Sequence, residues 1–439
     1  MNKKQKNKKQ KNKTRAVIAC FSVLLFVGAT VALYLPLRPT YSDAEKRELT
    51  QFPEFSVTAL LDGSYFNGIS TWYSDTFPFR EMFINANSKI KSFYGIGDSI
   101  SGFVDEIGDD IPEIPTGGEV VTQPLVTDPP TTEAPDRIDE SLIQKLSSII
   151  IVDNAAYEYY SFIRSTADGY AATVSRAANA LKDKARVFCM VIPTSIDIML
   201  DDGIRKNVSS TSQNDAINYI YSVMSPNAEK IKLYEPLRAH RKEYIYFRTD
   251  HHWTALGAYY AYCEYAAAAG LTPAPLDSFE EKQFDNFVGA FYNDSGKDPA
   301  LEKEPDTIYA YKPIGNVKLE FTDRKGNKTN WPIISDVSGW SRGSKYSTFI
   351  GGDQPYTHIV NSDITDGSSC LVIKESFGNA MVPFLTLNYS EIHVIDYRYW
   401  KGDINEFAKK NGIDDVIFLN NISATRNKSL MNTLGTIVK

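Results

Sequence analysis

Apolar residues beyond residue 140 recur in two patterns, short runs and longer stretches with helical spacing. Short runs occur in RVFCMVIPTS, CLVIKESF, EIHVIDY and DDVIFLNN, and they are typical of strands buried in a parallel sheet. Stretches such as TADGYAATVSRAANALKDKA and WTALGAYYAYCEYAAAAG predict helices, the second ending at Gly270 as its C-cap. The alternation of strands and helices predicts an α/β domain over residues 139–439 with a mostly parallel sheet, beginning with a strand and its continuation in IIIVDNAAYEYY.

Three other regions depart from this alternation. Residues 285–365 are rich in Gly, Asp and Asn with short β-like pieces, which predicts an insertion of hairpins and loops. Residues 41–105 predict a small membrane-proximal helical region, with helices near 56–73 and 79–93 separated at Phe77-Pro78. Residues 106–138 are dominated by Pro, Thr and acidic residues, so we expect a disordered linker that buries too little apolar surface to fold.

The first 37 residues predict a membrane anchor. Residues 1–15 carry seven Lys and one Arg without an acidic residue, and Ala16–Leu35 is a run of 20 residues without a charge. That length suffices for a helix across a hydrocarbon core of about 30 Å. We expect a transmembrane segment at residues 16–37, with the basic tail in the cytoplasm and the rest of the chain outside the cell membrane. A cleaved signal peptide is the alternative.

Charge and cysteine content exclude several classes of function. Residues 1–38 hold nine of the 47 basic residues and none of the 54 acidic ones, so the remainder has a formal charge of −16. That sign disfavours a nucleic-acid partner. Cys20 lies in the apolar run, whereas Cys189, Cys263 and Cys370 stand alone, and no CxxC spacing occurs. We therefore expect free thiols and neither a thiolate zinc site nor a disulfide framework.

Three predicted strand ends carry reactive side chains. They are Asp250-His251-His252 before a helix opened by Thr254, Lys374-Glu375-Ser376 after CLVI, and Pro193-Thr194-Ser195 after VFCMVI. In parallel α/β sheets, ligands bind at the edge where strands end and helices begin. This placement predicts a functional site formed by residues far apart in sequence.

Serine chemistry is one function that these residues allow. Ser376 would be the nucleophile, His252 its base, and Asp250 the group that orients the imidazole. Alternatively, Ser376 and Asp250 cap the helices that follow them. The Asp-His-His cluster is also a candidate metal site, but His240, His358 and His393 lie in unrelated sequence contexts, so we expect neither metal nor cofactor.

Several blocks of the sequence together resemble the bacterial DHHW family, whose signature matches Asp250–Trp253. The blocks that carry the resemblance are SDTFPFRE, RTDHHWTALGAYYAY, FVGAFYNDSG, KYSTFIGGDQP and LVIKESFGNAMVPFL. The family is similar in turn to alginate O-acetyltransferase proteins with a circularly permuted SGNH-hydrolase-like domain. The chain departs from these patterns at Glu375, where the family more often has Asp, and at Lys374, where SGNH hydrolases have Gly.

The resemblance implies an SGNH-like domain with Ser376, His252 and Asp250 as its triad. We expect Asn379, Lys374, Trp253 and Gly352 to bind substrate or an oxyanion, and His251 to be a structural neighbour. The implied activity is transfer of an acyl group to, or its removal from, a cell-surface polysaccharide, with a membrane-bound O-acyltransferase as the donor partner. A non-catalytic glycan-binding or scaffolding protein of the envelope is the alternative.

The predicted topology is open to a direct test. Protease added to intact cells should digest the body of the protein, because the one-sided basic flank places everything after about residue 38 outside. Immunoblotting against an epitope near residue 439 measures the loss, with a cytoplasmic protein as the control for lysis. Full protection of that epitope would contradict the prediction.

Overall fold

The computed structural model of this chain describes residues 38–42, 47–56, 60, 64–78, 109–112, 143–145 and 149–439. It divides into two compact units, residues 1–99 and residues 100–439. The predicted anchor at 16–37 and the predicted helix near 79–93 lie outside the described residues. Within the described ranges, no helix has the length and apolar character needed to span a membrane.

The first unit contains one short hairpin and one helix in its described part. Strands β1 (Tyr41–Ser42) and β2 (Arg47–Glu48) pair antiparallel, and helix α1 covers Ser64–Asp75. This helix lies largely within the range near 56–73 that the pattern predicts; Leu60 is also helical, and residues 57–59 and 61–63 lie outside the described residues. The Arg38 guanidinium lies 4.0 Å from the centre of a Trp72 ring and donates to Thr76 Oγ1 at 2.7 Å, which ties the first described residue to the end of the helix.

The second unit contains the remaining strands and helices. Its strands are β3 (Ile143–Lys145), β4 (Ile149–Val152), β5 (Ala155–Glu158), β6 (Arg186–Ile192), β7 (Ala228–Ile231), β8 (Phe279–Phe287), β9 (Asp306–Pro313), β10 (Val317–Thr322), β11 (Lys328–Trp331), β12 (Tyr356–Asn361), β13 (Ser369–Lys374), β14 (Glu391–Asp396) and β15 (Asp415–Asn421). Its α-helices are α2 (Arg164–Leu181), α3 (Ser195–Ile198), α4 (Asp202–Arg205), α5 (Gln213–Ser222), α6 (Tyr234–Ala239), α7 (Ala255–Ala269), α8 (Ala290–Asp294), α9 (Pro299–Lys303), α10 (Gly378–Leu385), α11 (Ile404–Asn411) and α12 (Lys428–Thr436). In the described part of this unit, 3₁₀ turns lie at Leu276–Ser278, Arg342–Thr348 and Ile422–Arg426.

An eight-stranded mixed sheet with strand order β11-β10-β12-β14-β13-β15-β6-β7 forms the centre of the second unit. The five strands from β14 to β7 pair in parallel, whereas β12, β10 and β11 pair antiparallel along the other edge. An α/β fold is confirmed. The sheet is mixed, however, because part of the predicted insertion at 285–365 supplies three of its strands.

Residues 149–158 form a hairpin instead of a strand with a continuation. Strand β4 pairs with β3 on one side and with β5 on the other, in a separate three-stranded antiparallel sheet. The intervening turn includes Asp153 in the left-handed region at φ 54°, which reverses the chain. The apolar run IIIV is buried, and its residues pack in two small clusters with α3 and α8.

Helices cover both faces of the large sheet. Successive residues of a strand point to opposite faces, so each buried strand contributes side chains to two cores. On β13, Cys370 and Val372 face a core that includes α7 and α10, and Leu371 and Ile373 face a second core that includes α2, α5, α11 and α12. Helix α7 ends at Gly270, which adopts a left-handed φ of 71° as the predicted C-cap. Such double coverage explains why the parallel strands read as continuous apolar runs.

Part of the predicted linker is attached to the second unit. The Asp109 N–H donates to the Phe162 carbonyl at 2.7 Å, and the Asp109 carboxylate accepts from the Arg164 N–H at 2.8 Å, at the start of α2. Residues 109–112 are thus placed against the large unit, and the rest of 106–138 lies outside the described residues.

Candidate active site

Ser376 lies just beyond the carboxyl end of the buried central strand β13. Glu375 precedes it, and its carboxylate accepts from the Phe377 N–H at 3.0 Å and from the Asn421 N–H at 2.9 Å. Helix α10 starts at Gly378, where a Cβ would lie 2.6 Å from the Lys374 Cβ, so the chain turns too tightly for a side chain there. The serine is half-buried, at a turn that Glu375 links to the end of β15.

The second part of the site is a closed loop and not the extended strand end that the sequence suggested. An isolated antiparallel bridge joins Tyr246 to Trp253, and the Phe247 N–H donates to the His252 carbonyl at 3.2 Å. Within the loop, the Asp250 Oδ1 accepts from the His252 N–H at 3.0 Å. A turn, and not strand alternation, therefore brings the two side chains to the same side.

Asp250, His252 and Ser376 form a continuous hydrogen-bonded series. The distance from Asp250 Oδ1 to His252 Nδ1 is 2.5 Å, and from His252 Nε2 to Ser376 Oγ it is 2.7 Å. An ionised carboxylate only accepts, so the proton is on Nδ1 and the Nε2 lone pair faces the serine hydroxyl. In that arrangement the imidazole can take the hydroxyl proton as the serine oxygen attacks a carbonyl carbon.

Neither Ser376 nor Asp250 serves as the helix cap considered from the sequence. Thr254 caps α7 itself, since its hydroxyl accepts from the Gly257 N–H at 3.3 Å. No side chain caps the first turn of α10, and the Ser376 hydroxyl contacts His252 and, at 3.3 Å, the Glu375 carboxylate. Asp250 instead accepts from the Ala290 N–H at 2.8 Å, at the start of α8.

The environment of Asp250 keeps it ionised. Burial alone would raise its pKa, but the charges of His252 and His251 and the hydrogen bonds from His252 and the Ala290 N–H hold the pKa well below its ordinary value. The fully buried Asp306 fixes the segment that precedes Asp250. Its carboxylate accepts from the Thr249 N–H at 2.8 Å and from the Thr249 hydroxyl at 2.6 Å.

Three aromatic rings surround the His252 imidazole. Tyr346 stacks on it with ring centres 3.9 Å apart, and the Tyr346 hydroxyl donates to the Ser376 carbonyl at 3.1 Å. The ring centres of His251 and Phe377 lie 3.9 and 5.0 Å from the ring centre of His252. Burial and the charge of His251 lower the pKa of His252, whereas Asp250 raises it, and the net direction is downward. The neutral base is thereby favoured near neutral pH.

Lys374 and Asn379 lie beside the site but direct their donors elsewhere. Both bind Asp353, with Lys374 Nζ at 3.4 Å and Asn379 Nδ2 at 2.9 Å from its Oδ1. Lys374 also pairs with Asp396 at 3.0 Å, and Arg398 contacts both aspartates. In this group, the negative charges of two aspartates are paired with the positive charges of Lys374 and Arg398, at the point where β13 and β14 end. The amide oxygen of Asn379 is buried without a partner among the described residues.

Trp253 and Gly352 occupy supporting positions. The buried Trp253 indole donates to the Phe377 carbonyl at 2.9 Å, which links the Asp-His loop to the turn that carries Ser376. Gly352 has a φ of 76° in the loop leading to Asp353. Ser195, at the third strand end, is buried in α3, and its hydroxyl has no hydrogen-bond partner among the described residues.

Sequence reasoning missed Tyr346, Asp306, Asp353 and Gly289. Each reaches the site from the region taken for an insertion. KYSTFIGGDQP and FVGAFYNDSG, two of the blocks behind the family resemblance, contain three of them. Asp306 is the first residue of β9, and no pattern in the sequence around it indicates a role in the site.

The donor atoms of Asp250, His251 and His252 lie close enough together to hold a metal ion. However, His252 Nδ1 and Asp250 Oδ1 are bonded to each other, and His252 Nε2 is bonded to Ser376. A metal here would have to replace the serine contact. Of the thiols, Cys189 and Cys370 are buried and Cys263 is half-buried, and all three are free.

The fold and the site together define a mixed α/β protein. Its serine, histidine and aspartate are hydrogen-bonded in series beside the carboxyl end of a central strand. The chain belongs to the DHHW family, since the family model, described as DHHW protein, matches residues 45–119 and 121–395. The Ser-His-Asp series thus includes the first and third residues of the family's signature. A search of the curated proteins found no match.

Solved structures with TM-scores above 0.5 share the fold. A DHHW family protein from Eubacterium siraeum is 28% identical, with a TM-score of 0.62 over 68% of this chain and 98% of that one. Bacillus cereus PatB1 with a sulfonyl adduct is 18% identical, with a TM-score of 0.55 over 66% and 98%. The O-acetyltransferase domain of Pseudomonas putida AlgJ is 13% identical, with a TM-score of 0.39 over 66% and 98%.

Substitution of Gly289 should disable the site through sterics alone. A Cβ there would lie 2.2 Å from Asp250 Oδ2 and 2.3 Å from the Asp250 Cβ, so Gly289→Ala must displace the carboxylate. We expect a loss of about 1–3 kcal/mol in the free energy of unfolding and much slower labelling of Ser376 by a fluorophosphonate. Denaturant titration and a labelling time course measure the two effects.

Gly169 provides the matched control. It lies exposed in α2 with no atom within 4 Å of an added Cβ, so Gly169→Ala should be neutral or stabilising by about 0.5–1 kcal/mol. Equal labelling rates in the two variants would show that the position of Asp250 does not control the serine.

Proposed function

We propose that this protein is an extracytoplasmic, membrane-anchored O-acyltransferase or esterase that acts on cell-surface polysaccharide through Ser376, His252 and Asp250. The observation that carries the proposal is the unbroken series of contacts, 2.5 Å and 2.7 Å long, from Asp250 to His252 to Ser376. Family membership adds the Asp-His-His-Trp signature in which two of the three residues lie.

In the first half of the reaction, the Ser376 oxygen attacks the carbonyl carbon of an acyl donor. His252 Nε2 takes the hydroxyl proton, and Asp250 stabilises the imidazolium that forms. The imidazolium then gives its proton to the leaving alcohol as the bond from the carbonyl carbon to that oxygen breaks, which leaves an ester on Ser376. The Phe377 N–H is held by Glu375, so in this arrangement it does not face the developing oxyanion.

The second half repeats the chemistry with a different nucleophile. A sugar hydroxyl, or water in the esterase, loses its proton to His252 as its oxygen attacks the acyl carbon. The Ser376 oxygen leaves and regains a proton from the imidazolium. Transferase and esterase thus share every residue of this site and differ in the acceptor.

The cellular setting of the proposal comes from the sequence. The basic tail at 1–15 and the apolar run at 16–37 support insertion in the lipid bilayer, with the second unit outside. The AlgJ domain with which the chain shares some structural likeness carries the name O-acetyltransferase. A membrane-bound O-acyltransferase that delivers acetyl groups is the partner we propose.

Removal of the three site residues should be strongly non-additive, because they act as a unit. In the purified full-length protein, we expect Ser376→Ala to lower p-nitrophenyl acetate cleavage by roughly three orders of magnitude, with His252→Ala adding little. Asp250→Asn should be milder, since the imidazole keeps its place but loses control of its tautomer. Release of p-nitrophenol and mass spectrometry of the acetylated Ser376 peptide measure the effects, and transfer to an oligosaccharide is the second assay.

Ser195→Ala is the control for a buried serine that lies at another strand end. It should keep the full rate. Wild-type rates in Ser376→Ala would rule out the proposed nucleophile, and glycan binding without any acyl-enzyme would favour a non-catalytic envelope protein.

The pH dependence of Ser376 acylation should reveal the lowered pKa of His252. Because burial and the charge of His251 favour the neutral base, the rate should hold as pH falls through 6.5, the ordinary value for histidine, and decline only at lower pH. His251→Ala removes the neighbouring charge and should move the decline to higher pH while most of the plateau rate remains. Stopped-flow burst rates across pH 4 to 8 measure the shift (roughly the range of histidine titration). A shift to lower pH in His251→Ala would contradict this account.

A further inference from the structure

A second cluster of ligating side chains lies on the antiparallel part of the large sheet. His358 of β12 stands directly opposite His393 of β14 in the register of the two strands. Their rings stack with centres 4.8 Å apart and planes inclined by 5°. Glu391, two residues before His393 on the same strand, shares that face of the sheet.

Three donor atoms of this cluster converge. The distance from Glu391 Oε1 to His358 Nε2 is 2.6 Å, and to His393 Nε2 it is 3.5 Å. All three atoms lie within 4.8 Å of one another. Donors bound to a tetrahedral ion at ~2.1 Å are about 3.4 Å apart. The distance from Glu391 to His393 already matches this value, and the distance from Glu391 to His358 would have to increase by roughly 0.8 Å.

The other nitrogen of His393 is already oriented. Its Nδ1 lies 2.7 Å from the Tyr356 hydroxyl, and the Phe407 ring packs edge-on at 5.2 Å. When the hydroxyl accepts the Nδ1 proton, the Nε2 lone pair faces Glu391, as the outer hydrogen bond of a metal-bound histidine requires.

The cluster is accessible from solvent and distinct from the serine site. The side chains of His358 and Glu391 are 31% and 43% exposed, whereas that of His393 is only 5% exposed. The register aligns His393 with Leu371, five residues before Ser376 along the chain, and Leu371 faces the core on the α2 and α11 side. A bound ion would thus link β12 to β14 away from the reacting serine.

We propose that His358, His393 and Glu391 form a binding site for a borderline divalent metal ion of the zinc class. Two imidazole nitrogens and one carboxylate oxygen suit such an ion, with water in the fourth position. The two histidines are 35 residues apart and lie in unrelated sequence contexts. The antiparallel pairing of β12 with β14 brings them together.

Zinc titration of the purified full-length protein, in competition with a chromophoric chelator, tests this site. We expect one equivalent to be bound and the affinity to fall at least ~10-fold in His358→Ala and in Glu391→Gln. His358 is the first choice because its exposure makes misfolding of the variant less of a concern. Cobalt substitution adds a spectroscopic readout, in which the visible bands of the wild type should weaken in both variants.

Two further histidine variants make the outcome decisive. His240, which pairs with Glu243 at 2.7 Å on the surface, is the matched control, and His240→Ala should bind zinc like the wild type. His251→Ala tests the Asp-His-His cluster. Unchanged affinity in His358→Ala, or loss of the bound equivalent in His251→Ala alone, would overturn the proposal.

Discussion

The buried carboxylate of Asp250 is the group on which the site depends. One of its oxygens receives both the backbone and the ring N–H of His252, and the other receives the N–H that opens α8. A buried charge is stable only when such contacts replace its water. The contacts that stabilise this charge also fix the imidazole of His252 and close the loop. They hold the start of α8 against that loop. Gly289 has no side chain because the carboxylate occupies that space.

The support of the site extends outward from Asp250 in two directions. On one side, Asp306 binds the backbone and hydroxyl of Thr249, so the chain enters the loop in a single conformation. On the other, Trp253 binds the carbonyl of Phe377 and thereby connects the base to the turn that carries the nucleophile. Rigid placement of this kind is what keeps reacting groups within hydrogen-bond reach. The charged group around Lys374 and Asp353 strengthens the same edge and leaves neither Lys374 nor Asn379 directed at the serine.

Local pattern predicted four of the five parallel strands and the capped helix α7, and it singled out the three residues that the structure bonds in series. Each has a signal within about ten residues, such as an apolar run, a C-cap glycine or a reactive side chain after a strand. The antiparallel strands β10 to β12 were not assigned to the main sheet, because pairing with β14 is a property of distant contacts. Tyr346 and Asp306 were missed for the same reason. Their roles arise from packing against His252 and Thr249, which no spacing in the sequence shows.

The nucleophile and its base are separated by 124 residues of chain. The base loop and α7 are made first, and β8 to β12 follow before the serine turn exists. Contacts of such separation close large loops and form late, after local structure has been established. The serine therefore meets its base only after β8 to β12 have been made, so an intact contact between Ser376 and His252 reports that parts of the chain far apart in sequence have folded together.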